Sequence, residues 1–85
     1  MKMSKITELT EKEPTLERLQ EMVGGYIQLL ELPDTGKHMI VNEEGLLLGL
    51  SYNEKATEIY YEENRHKASP ILGDVVILSG SAKMK

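Results

Sequence analysis

The side chains that could carry out acid–base or metal chemistry in this chain are two histidines and fourteen acidic residues. His38 and His66 lie far apart, and no HExxH or comparable metal-binding spacing occurs. Glu43 and Glu44 are adjacent, but neighbouring residues in a turn diverge into solvent and do not form an acid–base pair. We therefore expect no metal site and no catalytic residue.

The sequence also lacks the motifs of nucleophilic catalysis and of phosphate binding. The chain has no cysteine, which excludes disulfides, thiolate zinc sites and cysteine nucleophiles. No serine lies in a G-x-S-x-G motif. Gly24-Gly25 follows a predicted helix instead of opening one, so it does not resemble a phosphate-binding loop. The sequence predicts a protein that is not an enzyme and needs no cofactor.

Length and net charge restrict the remaining functional classes to which the protein could belong. Eighty-five residues form one small domain, and the net charge of −4 disfavours direct binding to nucleic acid phosphates. Tryptophan and phenylalanine are absent, so base stacking is weakly supported. The N-terminus lacks the apolar region of a signal peptide, and no apolar run approaches the ~20 residues that cross a bilayer. We expect a cytoplasmic protein that does not bind membranes.

The segment 24–53 is predicted to be a β-meander of three apolar runs, the third being Leu46 to Leu48. Residues 33–36 and 42–45 are the turn signals, and Gly45 is expected to adopt a left-handed conformation in a bulge. A helix is predicted before the meander, from Thr15 to Val23, with Gly24 as its stop. A second helix is predicted to start after Asn53.

An edge strand at Met3 to Leu9 and a buried strand at Ile71 to Leu78 complete the predicted elements. The fold class is α+β: a small, mainly antiparallel sheet of four to five strands with two helices, in the order β-α-β-β-(β)-α-β. Residues 1–78 form a single domain, and residues 79–85 are expected to be a flexible C-terminal tail.

The strands carry apolar side chains on both faces of the predicted sheet. Two short helices normally pack on the same face, which would leave the other face uncovered. We infer that a bound partner or a second copy of the chain covers it, and we expect a homo-oligomer.

The second predicted helix has an acidic face. Between Asn42 and Asn64 there are six acidic residues and one basic residue. A solvated helix surface is the simplest interpretation. The alternative is a docking face for a basic partner protein, with a tyrosine as its apolar anchor. The candidate partner-binding residues are Glu54, Glu58, Tyr61 and Glu62.

A different set of polar side chains could hold a small anionic, nucleotide-like ligand if oligomerisation buried a pocket. The candidate ligand-binding residues are Tyr26, Lys37, Asn42, Asn53 and Arg65. For Asn53 the simpler interpretation is a helix cap.

Four short motifs follow one another at fixed spacing: Gly24-Gly25-Tyr26-Ile27, Asn42-Glu43-Glu44-Gly45, Gly49-Leu50 with Asn53, and Gly73-Asp74-Val75-Val76. Together, over residues 15–78, they resemble a family of small proteins, a domain of unknown function, encoded by phages, plasmids and integrative elements. The resemblance implies a device against host defence in the host cytoplasm. Two hypotheses remain: a non-enzymatic protein that occupies a host protein through its acidic helix face, and an oligomeric sequesterer of a nucleotide-like signalling ligand.

Overall fold

The computed structural model describes residues 4–64 and 70–83. They form four strands, two α-helices and a short 3-10 helix, which confirms the predicted α+β class and element order. The elements are β1 (Ile6–Leu9), α1 (Leu16–Val23), β2 (Ile27–Leu32), β3 (Lys37–Asn42), α2 (Glu54–Glu63), β4 (Val75–Leu78) and the 3-10 helix Gly80–Ala82.

The four strands form one mixed sheet in the order β1-β4-β3-β2. Both β2–β3 and β3–β4 are antiparallel, whereas β1 and β4 are parallel. The prediction that the first strand lies at an edge is confirmed for Ile6–Leu9, while Met3 lies outside the described residues. The other edge is β2, which is also one of the two longest strands.

Both helices begin at the caps that the sequence predicted. The Thr15 hydroxyl accepts a hydrogen bond from the Arg18 amide at 3.1 Å, and the Asn53 side chain accepts one from the Ala56 amide at 3.1 Å. Helix α1 ends at Gly24, whose φ of 81° is the left-handed conformation that glycine tolerates. In the described part of the chain, neither helix has the length and apolar character needed to cross a membrane.

The two helices pack on opposite faces of the sheet, so the expectation that they share one face is wrong. Ile40, Val76 and Leu78 pack with α1, whereas the alternate residues Met39 and Val75 pack with α2. The reason is topological. To connect the two edge strands, β1 and β2, helix α1 must cross β4 and β3, and it fills that face.

Helix α2 therefore lies on the face that α1 leaves open. It begins near the start of β4, where Asn53 contacts Gly73, and ends near the C-terminal end of β2, where Asn64 contacts Glu31. In residues 4–64 and 70–83, this diagonal path leaves a groove beside β2 and β3 and another beside β1. Helix α2 thus covers part of the sheet face whose exposure motivated the homo-oligomer prediction, and grooves remain on either side of the helix.

The third apolar run of the predicted meander is not a strand. Residues 43–49 form a turn segment that folds on itself, with hydrogen bonds from Leu48 to Glu44 and from Leu50 to Gly45. Strand β3 already pairs with β2 on one side and β4 on the other, so the meander has no edge at which to continue. As a result the side chains of Leu46 and Leu47 are 85% and 84% exposed.

Gly45 is not left-handed in the structure, which corrects the predicted bulge. The Gly45 amide closes a turn onto the Asn42 carbonyl at 3.3 Å, as the turn signal predicted. The need for glycine is steric instead: an added Cβ would lie 3.2 Å from the Cβ of Leu72.

We predict that Gly45→Val lowers the free energy of unfolding by about 2 kcal/mol, because the extra methyl groups must displace residue 72. Urea denaturation measures the change. Gly45→Ala adds only the Cβ and should cost less than the valine. Equal stability of Gly45→Val and the wild type would contradict the close approach.

The C-terminal segment expected to be a flexible tail contributes to the core. Ala82 is fully buried with the residues under α1, and the Ser79 amide donates to the Leu9 carbonyl at 3.0 Å. A small side chain fits this position where a larger one would not, and the backbone bond extends the β1–β4 pairing. Residue 82 therefore belongs to the packed domain, and residues 84 and 85 lie outside the described residues.

Candidate partner-binding face

The four predicted partner-binding residues lie on the solvent side of α2. Ala56 and Tyr60 are buried against the sheet, and the opposite side of the helix carries the exposed residues. Glu54, Glu58 and Glu62 follow one another at four-residue spacing and extend over about 12 Å. We call Glu54, Glu58, Tyr61 and Glu62 the acidic face.

Tyr61 supplies the apolar part of the acidic face. About half of its side chain is exposed, although an aromatic ring of this size gains free energy from burial. The three carboxylates beside it have no basic partner in residues 4–64 and 70–83, where the single ion pair joins Lys37 and Glu8 at 3.9 Å. Among the described residues, the acidic face thus combines carboxylates that have no basic partner with an aromatic surface.

Both ends of α2 are hydrogen-bonded to segments next to the sheet, so the acidic face is held in one orientation. At the start, Asn53 donates to the Gly73 carbonyl at 2.9 Å. At the end, the Glu63 carboxylate accepts hydrogen bonds from the amide and the hydroxyl of Thr35, at 3.0 Å and 2.9 Å. Glu63 therefore anchors the helix to the β2–β3 turn and does not belong to the acidic face.

Two of the candidate ligand-binding residues already use their amides within the fold. Asn42 is buried, donates to the Val23 carbonyl at 3.0 Å and accepts from the Glu44 amide at 2.7 Å. Asn53 is buried as the α2 cap. Breaking these bonds to bind a ligand would leave buried polar groups without partners.

The other ligand candidates do not lie together. Lys37 starts β3 and Asn42 ends it, so Lys37 is separated from Tyr26 and Asn42 by about 17 Å along the hairpin. Arg65 lies outside the described residues. Within one subunit, the described members of this set do not form a single pocket.

His38, the histidine among the described residues, does not belong to a metal-binding cluster there. No cluster of three or more potential ligands occurs within residues 4–64 and 70–83. His38 is half-buried on the α1 side, and its Nδ1 atom is enclosed without a hydrogen-bond partner. His66 lies outside the described residues.

One exposed feature was missed by the sequence interpretation. The leucine loop, Leu46 to Leu48, projects from the end of β3 next to Glu43 and Glu44. From the sequence, this apolar run is predicted to be the third strand of the meander. The glycines on both sides, at positions 45 and 49, are the signal that could have indicated a loop.

The structure defines a small α+β protein: a four-stranded mixed sheet with one helix on each face and an acidic, tyrosine-containing helix surface. A family model described as Domain of unknown function (DUF3846) matches residues 1–84, and the chain belongs to this family. Comparisons with curated proteins and with solved structures gave no match.

Proposed function

We propose that the protein is a non-enzymatic binding protein that occupies a basic surface of a host protein through its acidic face. The observation that supports this proposal is the arrangement on α2: Glu54, Glu58 and Glu62 in one row, with Tyr61 half exposed beside them. A partner with a basic groove would neutralise the row and bury the ring. Tyrosine is among the residues that contribute most free energy at interfaces.

The fixed ends of α2 favour this role. Because Asn53 and Glu63 hold the helix at both ends, little conformational entropy is lost when a partner binds. Long-range attraction between the acidic row and a basic partner would raise the association rate and make it sensitive to salt.

The biological setting is the second part of the proposal. The four motifs that resemble phage, plasmid and integrative-element proteins favour a protein of a mobile element. In that setting a host defence enzyme that binds nucleic acid is a suitable partner class, since such enzymes carry the basic grooves that an acidic surface complements. The protein would act by occupancy, in the cytoplasm of the host.

The proposal predicts that the double substitution Glu58→Lys and Glu62→Lys weakens partner binding by at least about tenfold at low salt, because two favourable charges become repulsive. Affinity capture from host lysate, followed by calorimetry with the captured protein, measures this effect. The wild-type complex should dissociate as the salt concentration rises.

The matched control reverses two acids of α1, Glu17 and Glu21, which are exposed on the other side of the sheet. This variant has the same net charge as the first, so it separates a specific surface from bulk charge. Equal affinity of the two double variants would refute the acidic face as the binding surface. A further variant, Tyr61→Ala, tests the aromatic contribution without any change in charge.

A further inference from the structure

Strand β2 is an edge strand of the sheet, and its backbone groups alternate in direction. The Glu43 amide donates to the Tyr26 carbonyl at 2.8 Å, so residues 26, 28, 30 and 32 exchange hydrogen bonds with β3. The backbone N–H and C=O groups of Ile27, Leu29 and Glu31 consequently point away from the sheet.

Two backbone groups near this edge already have partners within the subunit. The Glu31 carbonyl accepts a hydrogen bond from the Asn64 side-chain amide at 3.1 Å. The Gly25 amide donates to the Gln20 carbonyl at 3.0 Å, as part of the α1 cap. Within residues 4–64 and 70–83, the N–H and C=O groups of Ile27 and of Leu29, in the centre of the edge, have no hydrogen-bond partner.

We propose that a second copy of this chain pairs antiparallel with β2, with the two-fold axis at Gln28, so that two sheets join into one of eight strands. In this register Ile27 of each copy lies opposite Leu29 of the other and exchanges both hydrogen bonds with it. All four central N–H groups and all four central carbonyls of the two copies are then satisfied. The pair that follows on each side is Gly25 and Glu31.

The groups that are already occupied select this register. In this register the Gly25 N–H of one copy would face the Glu31 C=O of the other. Each of these two groups already has a hydrogen-bond partner within its own subunit, so neither needs one from the other copy. A register centred on Leu29 would instead direct the Ile27 N–H to the occupied Glu31 carbonyl. A register centred on Leu30 would place Ile27 opposite Pro33, which has no N–H.

The side chains agree with the same register. On the α2 side, Tyr26 lies opposite Leu30 of the other copy, and Tyr26 is 65% exposed in the single subunit. Leu30 lines a groove of about 290 Å³ together with Val41, Leu46 and Tyr60, which is room for part of an aromatic ring. On the α1 side, the exposed Leu29 lies against Ile27 of the other copy.

The edge lacks the features that usually prevent such pairing. Strand β2 contains no lysine and no proline, and its register with β3 is continuous over six pairs, without a bulge. Glu31 is its one charged residue, and it faces Gly25 in the proposed register, not another acid. By contrast, the edge strand β1 has four residues and carries the Glu8–Lys37 ion pair at its side.

A cysteine cross-link tests the register directly, because the natural chain has no cysteine. Gln28→Cys places the two new thiols opposite each other in a pair with Cα atoms about 4.5 Å apart, which suits a disulfide. We expect mild oxidation to convert most of this variant into a covalent dimer. Leu29→Cys would lie about 8 Å from its counterpart and should remain mostly uncross-linked.

Glu8→Cys, on the opposite edge of the sheet, controls for random collision. Cross-linking of Gln28→Cys alone supports the proposal. Preferential cross-linking of Leu29→Cys would overturn the register, and equal cross-linking of Gln28→Cys and Glu8→Cys, or none in any variant, would overturn the edge-paired dimer.

Sedimentation equilibrium of the unmodified chain supplies an independent test. The wild type should have the mass of a dimer, and Gln28→Lys should raise the dimer dissociation constant at least about fivefold, since two ammonium groups then lie directly opposite each other. Glu11→Gln changes the net charge by the same amount away from β2 and should have no effect. A wild-type monomer at every concentration would overturn the proposal.

Discussion

Replacement of Asn53 by alanine is expected to lower the free energy of unfolding by about 3 kcal/mol. The Asn53 side chain accepts from the Ala56 amide at 3.1 Å and donates to the Gly73 carbonyl at 2.9 Å, and the residue is buried. The alanine removes the helix cap and also leaves a buried carbonyl without a donor. Asn53 thus joins the start of α2 to the segment that precedes β4.

Asn53→Asp separates the two contributions. The aspartate keeps the acceptor for the Ala56 amide, but it replaces the donor to Gly73 with a buried carboxylate oxygen that faces the carbonyl, so at neutral pH it should be no more stable than the alanine variant although it keeps the cap. Chemical denaturation at neutral pH, followed by far-ultraviolet circular dichroism, measures all three proteins. An alanine variant within about 0.5 kcal/mol of the wild type would show that these bonds do not stabilise the fold.

The second large effect is expected for Gly73→Val, which should lower the free energy of unfolding by at least about 3 kcal/mol. The φ angle of 81° is strained for any residue with a Cβ, and most strained for a β-branched one. An added Cβ would also lie 2.7 Å from Cδ1 of Leu50, so this side chain must move.

Gly49 offers a matched control for this substitution. Its φ is 65°, but a Cβ there would meet no atom within 4 Å. Gly49→Val therefore measures the backbone strain alone, and the difference between the two valine variants measures the packing against Leu50. If both variants lost the same stability, the contact with Leu50 would have no energetic role. Thermal and urea unfolding of the two proteins under identical conditions provide the comparison.

The proposed dimer and the acidic face use different parts of the molecule, and they can operate together. Pairing along β2 leaves the outward side of α2 exposed, so a dimer would carry two acidic faces. If a partner had two basic sites at a matching distance, the second contact would form at a high effective concentration and strengthen binding without any new contact.

Much of the local structure could be predicted from the sequence. Thr15, Gly24 and Asn53 mark the helix ends through hydrogen bonds and backbone angles that depend on neighbouring residues alone. The pattern of the apolar residues likewise identified α1, α2 and the four strands, although β4 begins at Val75 and not at Ile71. The composition of the acidic face could be predicted for the same reason, because residues four positions apart on a helix share a side.

The tertiary structure decided what each element contacts. An apolar helix stripe is compatible with either face of a sheet, and only the strand order, with α1 crossing β4 and β3, assigned the two helices to opposite faces. The strand order also left Leu46 to Leu48 without a partner strand and placed β2 at an edge of the sheet. Asn42 and Asn53 became structural in the same way, because their amides meet backbone groups that are distant in the chain. Such contacts depend on residues about twenty positions apart, and no local pattern encodes them.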